Sequence, residues 1–295
     1  MVLSALLEAM RPHQWVKNLL VFAPLVFAHK VGDPKAVQDA ALAFAVFCAL
    51  SSAVYLGNDV RDAEADRAHP KKRARPIASG RLGTGPALGA ALLLAAAGLG
   101  IGWDLGPADT QGLPFIAWPL LYVGLNAAYS LRLKRVAIVD ALCIAMGFQF
   151  RVHAGSVVLG VPSSKWLLLC TFFFATFLAF CKRRQELAHA SEGASRAVLR
   201  DYSAGFLDQV IAPLAAMSIL AYALYTVDDE TVAKHGSSLV LTVPFVVFGV
   251  FRYLWLVHHG ADGEDPARTL VRDRQLVLSG VLWGAVVALV LGKVI

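Results

Sequence analysis

Apolar positions in this chain fall in long uninterrupted blocks. They show neither the two-residue alternation of a barrel strand nor the narrow stripe of a surface helix. The blocks are 37–57, 84–103, 113–131, 136–159, 165–181, 208–227, 237–257 and 271–292. Each falls near the roughly 20 residues a helix needs to cross a hydrocarbon core of about 30 Å. A further block, 15–29, is shorter and contains Pro24. It counts as the first span because the charge pattern requires it. Residues 3–14 ahead of it read as a short amphipathic helix. The expectation is an all-α polytopic membrane protein of nine transmembrane helices, folded as one integral membrane domain over 1–295.

Charge orders the loops. Twenty-one of the 27 Lys and Arg lie in the N-terminal segment and in every second loop. Five, Lys30, Lys35, Lys165, Lys234 and Lys293, lie in the other set, and Arg151 sits inside the fifth span. Positive loops stay in the cytoplasm, so the N-terminus and the base-rich loops are expected there, in a bacterial plasma membrane. Removing any one span would scramble this separation. Composition agrees: 57% hydrophobic and 16% charged residues, with a mean hydropathy of +0.60, is far from the soluble average. The net charge of +6 is met by topology and anionic headgroups rather than by nucleic acid. Cys48, Cys143, Cys170 and Cys181 have no CxxC spacing, which argues against a zinc site or a disulfide framework. No signal-peptide pattern opens the chain.

One stretch gathers most of the chemistry, AVYLGNDVRDAEADRAHPKKRARPIASGR at 53–81. Asn58, Asp62 and Asp66 recur every four residues, so a continuous helix would stack them on one face with about 40° of drift per step. Asp59 flanks them. Stacked carboxylates repel, and hard oxygen ligands at a membrane surface suit a divalent ion such as Mg²⁺. The bland alternative is a solvated helix end whose acids pair with neighbouring arginines. In the basic tail, Arg73, Arg75 and Arg81 offer phosphate-gripping forks, while Lys71 and Lys72 act as point charges or topology signals. Pro70 and Pro76 keep this tail looped.

Other candidates are more scattered. Tyr129 and Lys134 flank the short turn after the fourth span; Arg132 and Arg135 there read equally well as topology signals. Arg151 is an intramembrane cation that needs an anion, a carboxylate or a substrate phosphate. Gln149 lies beside it, and His153 reads as a hydrogen-bonded core residue. Lys182, Arg183 and Arg184 end the sixth span, followed by Glu186, which can serve a metal or a sugar hydroxyl. Tyr202 and Arg196 are weaker candidates. Lys17 either snorkels to the interface beside Trp15 or reaches an anion. His258 and His259 receive no chemistry.

Asn58-Asp59-x-x-Asp62-x-x-x-Asp66 at the end of the second span, with Tyr129-x-x-x-x-Lys134-Arg135 after the fourth, resembles the UbiA superfamily of intramembrane prenyltransferases. The resemblance implies a helical bundle around a lipid-filled cavity, with a polar Mg²⁺ chamber on its cytoplasmic side. It assigns the metal to Asn58, Asp59, Asp62 and Asp66. One departure stands out. Aromatic prenyltransferases of the superfamily carry a second Asp-rich motif in the loop between spans six and seven, where this chain has KRRQEL.

The segments RPHQWVKNLLVFAPL, NDVRDAEADRAHPKKRARPIASGRL, YSLRLKRVAIVDALCIAMGFQFRVHAGS and KRRQEL resemble one branch of it. Its enzymes move 5-phosphoribose from 5-phosphoribosyl pyrophosphate to decaprenyl phosphate for cell-wall arabinan. That resemblance implies Mg²⁺ on the leaving diphosphate, with Arg73, Lys134 and Lys182 sharing its charge. Arg151, Lys17 or Arg183 would hold the 5-phosphate or the lipid phosphate. The acceptor is already an anionic nucleophile, so no strong general base is required, and in-line attack gives inversion. Two rivals are weighed. An aromatic prenyltransferase would pass a prenyl diphosphate to 4-hydroxybenzoate or a quinone precursor. A lipid carrier or transporter would show symmetric broken helices, a pattern not seen here. Membrane lipids are partners in every case, and a homo-oligomer is compatible with the pattern.

Overall fold

A computed structural model describes residues 2–70, 72–105, 112–189, 197–259, 266–292 and 294. Lys71, Arg196 and Lys293, singled out above, lie outside the described residues. The elements of regular structure among them are all helices, as expected. The chain divides into two compact units, Met1–Leu133 with Gly147–Ser164, and Lys134–Met146 with Lys165–Ile295.

The first unit opens with α1 (Val2–Met10), which buries Ala5 and Ala9 and leaves Val2, Leu3 and Leu7 exposed. Arg11, in the left-handed region at φ 56°, turns the chain into a 3₁₀ stretch over Pro12–Phe22, followed by the short α2 (Ala23–Phe27). Then comes α3 (Pro34–Arg61), capped by the Asp33 carboxylate, which accepts from the amides of Lys35 at 2.9 Å and Ala36 at 3.4 Å, with Pro34 at its first position. At 1.5 Å per residue α3 is about 42 Å long, more than the roughly 30 Å of hydrocarbon. Its apolar part, 40–57, matches that thickness, so the polar end beginning at Asn58 is pushed out to the interface. α4 (Ala63–Ala68), α5 (Thr84–Asp104) and α6 (Ala117–Leu131) complete this unit with the last turns of α7 (Val139–Val158). Its core joins Val21, Leu25, Phe47, Leu50, Phe115, Trp118 and Tyr122 to the end of α7 at Val157 and Val158.

The second unit takes the start of α7, then α8 (Lys165–Ala188), α9 (Ala204–Val227), α10 (Asp229–His235), α11 (Val243–His258), α12 (Pro266–Arg272) and α13 (Arg274–Leu291). Serine and aspartate caps set its helix starts: Ser203 accepts from Phe206, and Asp273 from Leu276. Phe177, Phe180, Leu207, Ile211, Tyr253 and Leu256 centre its core.

Seven helices among the described residues are long and apolar enough to cross a membrane, so the nine-span reading is not matched in its count. The two differences have physical causes. The block 113–131 folds as a 15-residue helix, α6, about 22 Å long. The block 15–29 is wound as the 3₁₀ stretch plus α2, where a 3₁₀ rise of ~2.0 Å per residue extends a short sequence further than an α-helix would.

That tighter winding permits a close approach. A Cβ at Gly155 would lie 2.2 Å from the Val21 carbonyl oxygen and 3.2 Å from Pro24 Cδ. Pro24 has no N–H to close a 3₁₀ bond on Val21. Because backbone rather than a flexible side chain fills the space, Gly155→Ala is expected to destabilise the protein by about 3 kcal/mol. Thermal unfolding in detergent should show an apparent midpoint lowered by roughly 5–10 °C.

Candidate active site

Backbone bonds from Asp62 N–H to the Asn58 carbonyl and from Asp66 N–H to the Asp62 carbonyl, both 2.8 Å, carry helical winding from α3 towards α4. The two helices nevertheless part at Asp62, whose backbone sits at φ −91°, ψ 6°. This break takes Asp62 off the single face expected for Asn58, Asp62 and Asp66, while the i, i+7 pair stays on one side. Asp59 and Asp66, seven residues apart, are the acids that come together, and both are at least 96% buried. Asp62 instead faces outward, its side chain 38% exposed, and takes the Arg61 guanidinium at 3.1 Å. The Asn58 amide oxygen accepts from Ser130 Oγ at 2.8 Å.

One nitrogen joins the buried acids. Arg75 Nη1 donates to Asp59 Oδ1 at 3.1 Å and to Asp66 Oδ2 at 2.7 Å. Arg11 Nη2 adds a second cation on Asp59 Oδ1 at 2.6 Å, with its guanidinium 4.9 Å from the Tyr55 ring centre. Two carboxylates therefore meet two guanidinium groups, and the cluster is close to neutral. The loop that carries Arg75 is docked, not free. Ile77 and Leu82 bury against Leu56, Ala63, Ala5 and Ala9. Arg67 Nε donates to the Ala78 carbonyl at 3.2 Å. Arg81 forks onto Glu8 at 2.7 and 2.9 Å and also reaches the Ala74 carbonyl at 2.8 Å. That fork holds the Glu8 carboxyl below its usual range, and it spends Arg81 on structure rather than on a phosphate. Arg73 stands exposed in the 3₁₀ turn Lys72–Ala74.

Deeper in the same unit, Arg151 is 94% buried. Nε donates to Asn18 Oδ1 at 2.7 Å, Nη1 to the Gly147 carbonyl at 2.6 Å and Nη2 to Tyr122 Oη at 3.3 Å. Phe47, Tyr122 and Phe148 present rings to it at 5.7, 4.6 and 5.5 Å. All three acceptors are neutral, so no carboxylate among the described residues supplies the anion the sequence reading asked for. Lys17 and Tyr129 are half-buried on this unit, Lys17 next to the buried Asn18. His153 bonds Ser163 at 2.8 Å and stacks on Trp118, as a core histidine would.

In the second unit, Arg183 is 99% buried and Asp140 fully so. Arg183 Nε bonds Asp140 Oδ2, and Nη1 reaches Glu186 Oε2 at 2.6 Å. Tyr202 Oη donates to Asp140 Oδ1 at 2.7 Å and accepts from the Ile138 N–H at 2.6 Å. Burial first, and then the neighbouring Asp140 carboxylate, pushes the Tyr202 phenol up, so it stays protonated. Ile138 has φ 69°, a strained conformation for a β-branched residue. The sequence reading offered Arg183 to a substrate phosphate and Tyr202 as a weaker substrate-binding candidate. The structure instead turns Arg183 Nε and Tyr202 Oη onto Asp140, and Arg183 Nη1 onto Glu186, holding the chain just after the 3₁₀ turn Leu133–Arg135. Arg184 likewise pairs with Asp208 at 2.8 Å. Lys134 and Lys182 remain half-buried. Asp140 and Gln185 were missed as site-forming residues. Gln185 is 98% buried, and neither amide atom has a partner among the described residues. No local pattern in KRRQEL marks it.

No three His, Cys, Asp or Glu among the described residues gather as metal ligands. The donor chemistry still fits a divalent ion. Mg²⁺ is commonly held by one or two carboxylates plus substrate phosphates rather than by a full protein cage. Asp59 and Asp66 are two buried carboxylates already bridged by a cation, with Asp62 on the open side.

A family model described as the UbiA prenyltransferase family matches residues 19–272. The chain belongs to this family. Together with its apolar helices, UbiA membership makes it a multi-pass membrane protein. This UbiA chain is 36% identical to a decaprenyl-phosphate phosphoribosyltransferase of Corynebacterium glutamicum, over 95% of its length and 84% of that protein. It is 36% identical to the protein of the same name from Mycolicibacterium smegmatis, over 96% and 91%. Among solved structures, a UbiA homolog from Archaeoglobus fulgidus bound to GPP and Mg²⁺ superposes with a TM-score of 0.70 at 18% identity, covering 98% of this chain and 99% of that one. At that identity the likeness concerns the UbiA fold alone.

Proposed function

We propose that the whole chain is a single transferase domain that moves 5-phosphoribose from 5-phosphoribosyl pyrophosphate to decaprenyl phosphate, releasing pyrophosphate. The observation that carries this reading is the 36% identity to two decaprenyl-phosphate phosphoribosyltransferases over nearly the whole chain. The product would serve cell-wall arabinan synthesis at the cytoplasmic side of the plasma membrane.

Asp59, Asp66, Asp62 and Asn58 would hold a divalent ion, Mg²⁺ in this reading, which when bound neutralises the departing diphosphate. Arg73 and Arg75, on the loop behind these acids, offer forks to the diphosphate oxygens. Lys17 and Tyr129 are assigned to phosphate oxygens on the same unit. Arg151, which meets no carboxylate among the described residues, is assigned to the 5-phosphate or the lipid phosphate. Lys134, Lys182 and Glu186, which lie on the second unit, are assigned as substrate-binding residues, the lysines for phosphate charge and Glu186 for a sugar hydroxyl. Arg183, Asp140 and Tyr202 fix the backbone beside Lys134. Attack by the anionic lipid phosphate on C1 needs positioning and charge stabilisation more than a base.

Purified protein with Mg²⁺ should label a polyprenyl phosphate from radiolabelled 5-phosphoribosyl pyrophosphate. It should give no product from a prenyl diphosphate with 4-hydroxybenzoate. A labelled lipid only in the second mixture would replace this reading with an aromatic prenyltransferase.

A further inference from the structure

Resting on the donor reading above, the geometry points to Arg75 as a resident counter-cation. We infer that it gives up its place between Asp59 and Asp66 when a metal arrives with a diphosphate, and then grips that diphosphate. Three observations support this. Arg75 Nη1 alone contacts both carboxylates, at 3.1 and 2.7 Å, so it stands where a shared divalent ion would stand. Arg11 on Asp59 brings the pair of acids to neutrality without any metal. The Arg75 side chain is 31% exposed, and its Nε and Nη2 have no partner among the described residues.

Charge decides the order of events. Adding a divalent ion while Arg75 stays would put four positive charges against two carboxylates, a repulsion of several kcal/mol at an effective dielectric near 20. A metal that brings a diphosphate carries its own anion. Arg75 can then leave the acids for that anion, losing one pair of charge-assisted bonds and gaining another. The loop need not unfold for this exchange. Ile77, Leu82 and the Arg81–Glu8 fork hold its backbone, so only the Arg75 side chain swings. The arrangement disfavours bare metal and favours the metal–diphosphate pair, which keeps the site selective for a charged donor.

The test measures binding as well as turnover. Mn²⁺ is titrated into detergent-solubilised full-length protein and followed by electron paramagnetic resonance, without donor. Arg75→Gln should bind Mn²⁺ about tenfold or more tightly than the parent chain, because its competitor is gone. With Mn²⁺ fixed, the same variant should retain radiolabelled pyrophosphate about tenfold less well. Arg75→Lys keeps the charge without the fork. It should exclude bare Mn²⁺ as the parent does, yet hold pyrophosphate several-fold more weakly. A residue that merely supports the fold would weaken both ligands in both variants, and that result, or unchanged Mn²⁺ affinity in Arg75→Gln, overturns the exchange. Asp59→Asn/Asp66→Asn separates the two levels of inference. Mn²⁺ bound normally by that double variant removes the metal assignment itself. Mn²⁺ lost there, with no gain in Arg75→Gln, removes only the exchange.

Discussion

Asp66→Asn is expected to lower phosphoribosyl transfer about a thousandfold while the protein remains folded, a loss of ~4 kcal/mol of transition-state stabilisation. Asp66 is 96% buried and is joined to Asp59 through a single guanidinium nitrogen. An amide at this position is isosteric but brings no charge. It leaves Arg11 and Arg75 in excess over Asp59 alone, so a divalent ion loses one anionic oxygen and meets more repulsion. The loss should appear in kcat at saturating donor and acceptor, with thermal unfolding little changed. Asp62→Asn is the companion measurement. That carboxylate is exposed beside Arg61, and a loss of the same order is expected from its proposed place on the ion, whereas unchanged turnover would remove Asp62 from the metal site. Turnover of Asp66→Asn within threefold of the parent would dismiss the acid pair from the chemistry.

The second large effect falls on stability. Arg183→Ala is expected to cost about 3–5 kcal/mol, because it strands the fully buried Asp140 without its counter-charge. In thermal unfolding this should be a drop of about 10 °C or more. The paired replacement Asp140→Asn/Arg183→Met removes both charges, and it should recover most of the lost stability, since residues in one network are not additive. A substrate-gripping role for Arg183 predicts the reverse: intact stability, a raised KM for the donor, and no rescue by the second change.

Much of the fold and part of the site could be read from the chain. Long apolar blocks gave the helical class because each helix inside a bilayer must satisfy its own backbone. The acids of 58–66 were visible because they interrupt an apolar run where α3 leaves the hydrocarbon. What stayed hidden was three-dimensional. The i, i+7 spacing that keeps Asp59 beside Asp66 was legible, but periodicity alone takes a helix as straight, so it also stacked Asp62 with Asp66, whereas the chain breaks at Asp62 and that side chain faces outward. The partnership of Arg183 with Asp140 spans 43 positions and carries no local pattern. The residues 12–22 are apolar enough for a helix, but hydropathy does not distinguish α from 3₁₀ winding.

The contact between Val21 and Gly155 also constrains how such a chain can drift in evolution. The two positions lie far apart in the sequence, yet a methyl group on one collides with the main chain of the other. Homologues that place any larger residue at the site of Gly155 would have to rewind the segment matching 12–24, so the two regions should change together across lineages or not at all.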